Sequence, residues 1–257
     1  MSLHQISAFL KYKKNAASKH GVHSPFVFDL VTKVFPQNGK IDLSENSAEE
    51  WRTTCLVNNS IINVTDLGTG NSGPRKISEI ASKSAKSEKE GELIHRIIKH
   101  FQPKKLLELG TSLGITTIHQ ATATSFENFI TLEGCPETAA IAKSAFLKYN
   151  LPVEIRIGNF SETLDKALYD LEKPDYIFFD GNHREKPTLE YFEKCLSHIH
   201  NDTLFIFDDI HWSEEMENAW EKIKQHEKVK LTIDLFHIGL VFFRAENREK
   251  EHFVLTF

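Results

Sequence analysis

Short apolar runs alternate with helical patterns from Lys104 onward, and that alternation limits the chain to few architectures. KKLLELG (104–110), NFITLEG (128–134), VEIRIGN (153–159), PDYIFFDG (174–181) and DTLFIFDD (202–209) read as strands. Helical stretches at 114–123, 136–150, 161–170 and 186–199 separate them. Runs as apolar as YIFF and LFIF suit strands covered on both faces, and strands joined through helices pair parallel. The pattern is that of a doubly wound α/β sheet. Its end breaks the rhythm. After a helical stretch at 213–227, KLTIDLF (230–236) and IGLVFFRA (238–245) follow one another with no room for a crossover, so they pair as an antiparallel hairpin. About seven strands are expected, mostly parallel, with the C-terminal hairpin antiparallel.

The first part of the chain has a different texture. HSPFVFDLVTKVF (23–35) is an apolar helical candidate followed by a polar stretch at 37–50, and SEKEGELIHRIIKHF (87–101) is a helix leading into the first strand. Residues 1–87 are expected to form a helical cap, which must bury its phenylalanines and would cover the substrate side of the sheet. Residues 88–257 form the main domain, and a homodimer contact through the cap is a further expectation. A formal charge of −5 argues against a general nucleic-acid binder. No stretch approaches ~18 uninterrupted apolar residues and the start lacks an apolar signal region, so neither membrane spanning nor secretion is expected. Three distant cysteines, Cys55, Cys135 and Cys195, without a CxxC pair suit a reducing cytoplasm.

The densest chemistry lies in LLELGTSLGITT (106–117). Glu108 closes a strand, and Gly110, Thr111, Gly114 and Thr116 form a glycine-rich turn opening a helix. Glycines let a ligand approach the backbone, and a helix start offers free N–H groups to an anion. Glu133, followed by Gly134, ends the next strand, where an acidic side chain accepts both hydroxyls of a ribose. Together these residues point to a nucleoside-containing cofactor. VTDLGTGNSG (64–73) spells a similar loop, but Pro74 follows and no strand with an acidic end comes next, so it reads as a structured turn near the site.

With these motifs, EGELIHRIIKHFQPKKLLELGTSLGITT, ITLEGCPETAAIAKSAF, VEIRIGNFSETL, PDYIFFDGNH and DTLFIFDDIHW, the chain resembles the catechol and caffeoyl-CoA type O-methyltransferases. HGVHSPFVFDLV and DDIHWS further resemble bacterial methyltransferases of unassigned substrate. The resemblance implies a Rossmann-like class I fold, for which a terminal antiparallel hairpin is characteristic, with S-adenosylmethionine as cofactor and a small-molecule acceptor. It places Gly110 beneath the methionine part and Thr116 on its carboxylate. Glu133 would take the ribose, Asn159 and Phe160 would meet the adenine edge, and Asp180 would face the methyl group.

Asp180, Asp208 and Asp209 end adjacent strands, where carboxylates crowd unless a cation neutralises them. Magnesium prefers such oxygen ligands. The catechol-type enzymes carry Asp, Asp and Asn there, so Asp209 adds charge. His183, three residues past Asp180, stands where those enzymes place a lysine base, and an imidazole would serve as a base near neutral pH. His211 and Trp212 are expected in the pocket wall, His119 in a structural place, and His20 and His23 at a loop-to-helix junction. Two other readings compete. An NAD-dependent oxidoreductase would also use Glu133, but the turn lacks G-x-G-x-x-G spacing. A non-catalytic binding protein would keep the fold without turnover.

Overall fold

The structure is a computed structural model that describes residues 2–17, 21–36, 47–68, 70–84 and 86–257; His20 and the stretch 37–46 lie outside the described residues. In chain order, α1 (Leu3–Asn15) and α2 (Pro25–Asp29) precede a π-helical turn, Leu30–Val34. Next come α3 (Ser47–Leu56), β1 (Ile61–Val64), β2 (Gly73–Lys76), α4 (Ile77–Ser84) and α5 (Glu88–Phe101). The alternating part follows as β3 (Lys105–Leu109), α6 (Ile115–Ala121), β4 (Asn128–Glu133), α7 (Pro136–Lys148), β5 (Glu154–Ile157) and α8 (Phe160–Leu171). It ends with β6 (Tyr176–Phe179), α9 (Glu185–Cys195), β7 (Leu204–Asp208), α10 (Glu214–Gln225), β8 (Leu231–Asp234), β9 (Ile238–Phe242) and β10 (Glu251–Val254). This is an α/β fold with an eight-stranded, mostly parallel sheet and a separate two-stranded one. No described helix is long and apolar enough to cross a membrane.

The chain divides into two compact units, one of residues 34–167 and one joining residues 1–33 to 168–257. That division differs from the boundary expected at residue 87. In the first unit, β3, β4 and β5 pair parallel, with Glu108 opposite Thr131 and Glu133 opposite Ile157. α5 starts where expected because Ser87 caps it: the Ser87 hydroxyl accepts from the Glu90 N–H and the Glu90 carboxylate accepts from the Ser87 N–H at 2.9 Å. Its Leu93, Ile94, Ile97 and Ile98 form one fully buried face. Within the segment expected to be a helical cap, β1 and β2 pair antiparallel.

In the second unit, β6 and β7 pair parallel, and every residue of YIFF and LFIFD is buried. The Phe179 and Phe207 rings stack at 4.3 Å, with Phe192, Phe205 and Phe243 packed edge-on around them. The expected hairpin is present: β9 pairs antiparallel with both β7 and β8. An eighth strand, β10, adds parallel to β8. Its residues are half-exposed on a polar background, EHFV, so neither alternation nor a long apolar run announces it.

Trp220, 1% exposed, lies flat enough on β9 that a Cβ added to Gly239 would sit 2.7 Å from its ring. Gly239→Ala therefore should destabilise the fold by about 1–3 kcal/mol, the usual cost of overpacking a tight core. Denaturant unfolding followed by circular dichroism measures it, and an unchanged midpoint would contradict this packing.

Candidate active site

The residues expected to meet a nucleoside cofactor, Asp180 excepted, belong to the unit of residues 34–167. Gly110 and Gly114 take φ of +103° and +80°, values that side chains with a Cβ resist, so the turn is built for glycine. At Gly114 a Cβ would also lie 3.0 Å from Phe146 and 3.1 Å from Ala142 of α7. The N–H groups of Gly110 and Thr111 both donate to the Leu132 carbonyl, at 2.9 and 3.2 Å, fastening the turn to β4. Glu133, half-buried at the end of β4, finishes the job. Its two carboxylate oxygens accept from the N–H of Ser112 at 2.7 Å and of Cys135 at 2.9 Å. Burial pushes the Glu133 carboxyl above its ordinary range; the amides of Cys135, Ser112 and Gly134 pull the other way, and the Asp66 charge adds to the rise.

The neighbouring positions are equally specific. Thr116 is buried in the first turn of α6. Asn159 lies two residues past Ile157, the partner of Glu133, and its side-chain oxygen accepts from the N–H and hydroxyl of Ser161, both at 3.0 Å. Phe160 opens α8, half-buried. Gly134 is covered by Leu67, from the β1–β2 turn that the sequence places near the site.

Glu108 sits deeper than these. It was expected among the cofactor ligands, yet it is fully buried, and both carboxylate oxygens are occupied by side chains. Thr117 and Thr131 donate to one oxygen at 2.6 Å each, and Gln120 donates to the other. The Thr131 hydroxyl in turn meets that of Thr111 at 2.6 Å. Glu108 therefore braces the turn from behind. Burial, opposed by these three hydrogen bonds, pushes its carboxyl up to about 7.

The other set lies in the unit containing residues 168–257. The β6–β7 register pairs Phe179 with Phe207, so Asp180 and Asp208 stand side by side at the strand ends. Asp208 is buried, and Asp180 is half-buried. Asn182, in left-handed conformation with φ of +56°, turns the chain so that His183 Nε2 comes 3.6 Å from an Asp180 oxygen. One ligand atom from each of Asp180, His183 and Asp208 lies within 4.8 Å of the others, a spacing that suits a metal ion. Asp209, expected as the third metal ligand, is outside this group: its φ of +52° turns the chain away directly after Asp208.

His211 and Trp212 follow. His211 bridges two carboxylates, Glu217 at 3.2 Å and Asp234 at 2.8 Å, and its ring stacks on Phe236. Trp212 is 55% exposed, open to a planar ligand. His119 lies in the other unit, buried against Glu49 and Gly91, a structural place. His23 is exposed.

A profile described as a methyltransferase domain matches residues 107–210, which take in both sets of residues. A catechol O-methyltransferase of Niastella koreensis is 32% identical over 128 residues, covering 48% of this chain and 57% of that enzyme. Over those residues the chain is similar to methyltransferases, and it spans little more than half the length of that curated relative. Its fold agrees with the O-methyltransferase from Bacillus cereus in complex with SAH, at a TM-score of 0.57 and 20% identity, covering 90% of this chain and 99% of that one. It also agrees with the cofactor-bound Rv0187 from MTB, at a TM-score of 0.61 and 15% identity, covering 79% and 93%.

Glu108 makes stability depend on pH. The folded state holds its proton up to about pH 7, whereas the unfolded chain releases it near the ordinary 4.5. Raising the pH through that window ionises the unfolded chain first and lowers stability, by on the order of 3 kcal/mol across the window. Glu108→Gln should remove this component, leaving a flatter stability profile between pH 4.5 and 7 in denaturant titrations. Parallel profiles for the two proteins would contradict the assignment.

Proposed function

We propose that the protein transfers the methyl group of S-adenosylmethionine to a hydroxyl oxygen of a small molecule, with a divalent cation, magnesium by its donor chemistry, assisting. The observation that carries this reading is that the segment matching a methyltransferase domain holds both a preorganised acidic clamp, Glu133 on a glycine turn, and a carboxylate–imidazole group, Asp180, His183 and Asp208. The named relative, a catechol O-methyltransferase, supports an acceptor with a phenolic hydroxyl.

Glu133 receives the ribose hydroxyls, and the turn from Gly110 to Thr116 takes the methionine portion. The cofactor supplies an electrophilic methyl group, so the acceptor oxygen needs only to lose its proton and align with it. His183 Nε2 takes that proton, and Asp180, 3.6 Å away, stabilises the resulting imidazolium. Asp180 and Asp208 would offer carboxylate oxygens to magnesium, which would make an acceptor hydroxyl easier to deprotonate. Trp212 offers an aromatic face for the acceptor ring.

The N-terminal helices bear on this half of the chemistry. Phe9 and Tyr12 of α1 pack on Phe236, and Glu217, the partner of His211, also meets His4 at 3.3 Å. Phe26 of α2 packs on Phe242 and beneath the Arg244 guanidinium. These contacts support a role for the N-terminal segment in shaping the acceptor end.

A panel of phenols and catechols with radiolabelled cofactor tests the activity. With an accepted substrate, His183→Ala should lower kcat by ~10²-fold or more while S-adenosylhomocysteine binds as before, and chelation should suppress turnover until magnesium is restored. A loss of only a few-fold with an unaltered pH profile would remove His183 from the base role.

A further inference from the structure

The glycine-containing motif VTDLGTGNSG is the one sequence signal that the reading above leaves unused, and the structure puts its turn against the cofactor clamp. Gly134 directly follows Glu133 and has no side chain to offer a ligand. The space a Cβ would take there is filled from elsewhere: Leu67 Cδ1, Cγ and Cβ lie 3.1, 3.4 and 3.7 Å from that position. Leu67 is nonetheless 47% exposed, an apolar surface left open beside a half-buried carboxylate.

The hairpin carrying Leu67 is fastened to this spot. The Thr65 N–H donates to the Cys135 sulfur at 3.3 Å, the Cys135 thiol donates to the Asn63 carbonyl at 3.6 Å, and the Asn63 N–H donates to Glu137 at 2.8 Å. The turn is also braced within itself, since the Asp66 N–H donates to the Ser72 hydroxyl at 2.9 Å and the Gly68 N–H to the Asp66 carboxylate at 3.0 Å. Asp66 sits close enough to Glu133 for its charge to raise the Glu133 carboxyl. A loop pinned at both its flank and its tip loses little entropy when a ligand packs on it.

A ribose held by Glu133 brings its attached base to within a few ångströms of the carboxylate, and a purine needs apolar surface against its faces to leave water. We propose that Leu67 is a wall of the nucleoside pocket, packing on the adenosine portion of the donor in place of a side chain at position 134. The turn at 66–68 is thus a specificity element for adenosine, supplied by the β1–β2 hairpin and not by the parallel sheet. This inference rests on the reading of Glu133 as the ribose ligand.

Calorimetric titration of the full chain with S-adenosylhomocysteine and with adenosine tests it, alongside thermal unfolding of each variant without ligand. Leu67→Ala should weaken both ligands by the same factor, roughly 5–20-fold, the loss expected for removing part of one apolar contact. Leu67→Met should restore most of the affinity, and Leu67→Asn, close in size but polar, should reproduce the loss. Glu133→Ala separates the two ideas. If it weakens binding at least tenfold while Leu67→Ala and Leu67→Asn bind within twofold of the natural protein, the wall is overturned and the ribose ligand stands. If Glu133→Ala binds as tightly as the natural protein, the ribose ligand falls and the wall falls with it.

Discussion

Two backbone amides, those of Ser112 and Cys135, converge on the carboxylate of Glu133, and the rest of the cofactor end is arranged about that convergence. The amides come from different segments, one from the turn after β3 and one from the start of α7. A single side chain therefore ties the glycine turn to the neighbouring strand end before any ligand arrives. Such an arrangement is useful because a carboxylate already oriented by fixed donors loses little freedom on binding a diol. It also explains the glycines. Gly110 and Gly114 must adopt left-handed backbone angles for the turn to fall back on Leu132 and Glu133.

Behind the turn runs a second, buried layer. Glu108, Thr117, Gln120, Thr131 and Thr111 form one hydrogen-bonded cluster between β3, β4 and α6. An acid placed there costs stability through desolvation, which its three donors offset in part. What the cluster contributes is position: it fixes where the turn leaves the sheet, while Glu133 stays half-buried at the end of β4.

Much of this was legible in the residues. Strands such as YIFF and LFIF are too apolar to be anything but covered on both faces, and Ser87 with Glu90 announces the start of α5. Glu133 was expected at a strand end beside the glycine turn, and it lies there, at the end of β4. The parts that escaped share a physical cause, namely that local pattern does not encode side-chain direction or edge pairing. Glu108 spells like a ligand, and only the register with Thr131 turns it inward. Asp208 and Asp209 look equivalent in sequence, but the left-handed backbone at Asp209 separates them and leaves His183 beside Asp180 and Asp208. β10 is a polar edge strand whose pairing depends on β8 being there to receive it. Likewise the hairpin at 61–76 has a short second strand, GPRK, with no strand-like alternation of its own, and its turn acquires meaning only through contact with Gly134.

The central claim is that Glu133 is the anchor of a nucleoside methyl donor. A crystal structure of the protein grown with S-adenosylhomocysteine tests it most directly. The account predicts both ribose hydroxyls within about 3 Å of the Glu133 carboxylate oxygens, hydrogen-bond distance for charged acceptors, with the amides of Ser112 and Cys135 still in place behind them. A nucleoside bound elsewhere, or a ribose held by other side chains with Glu133 turned away, would contradict it.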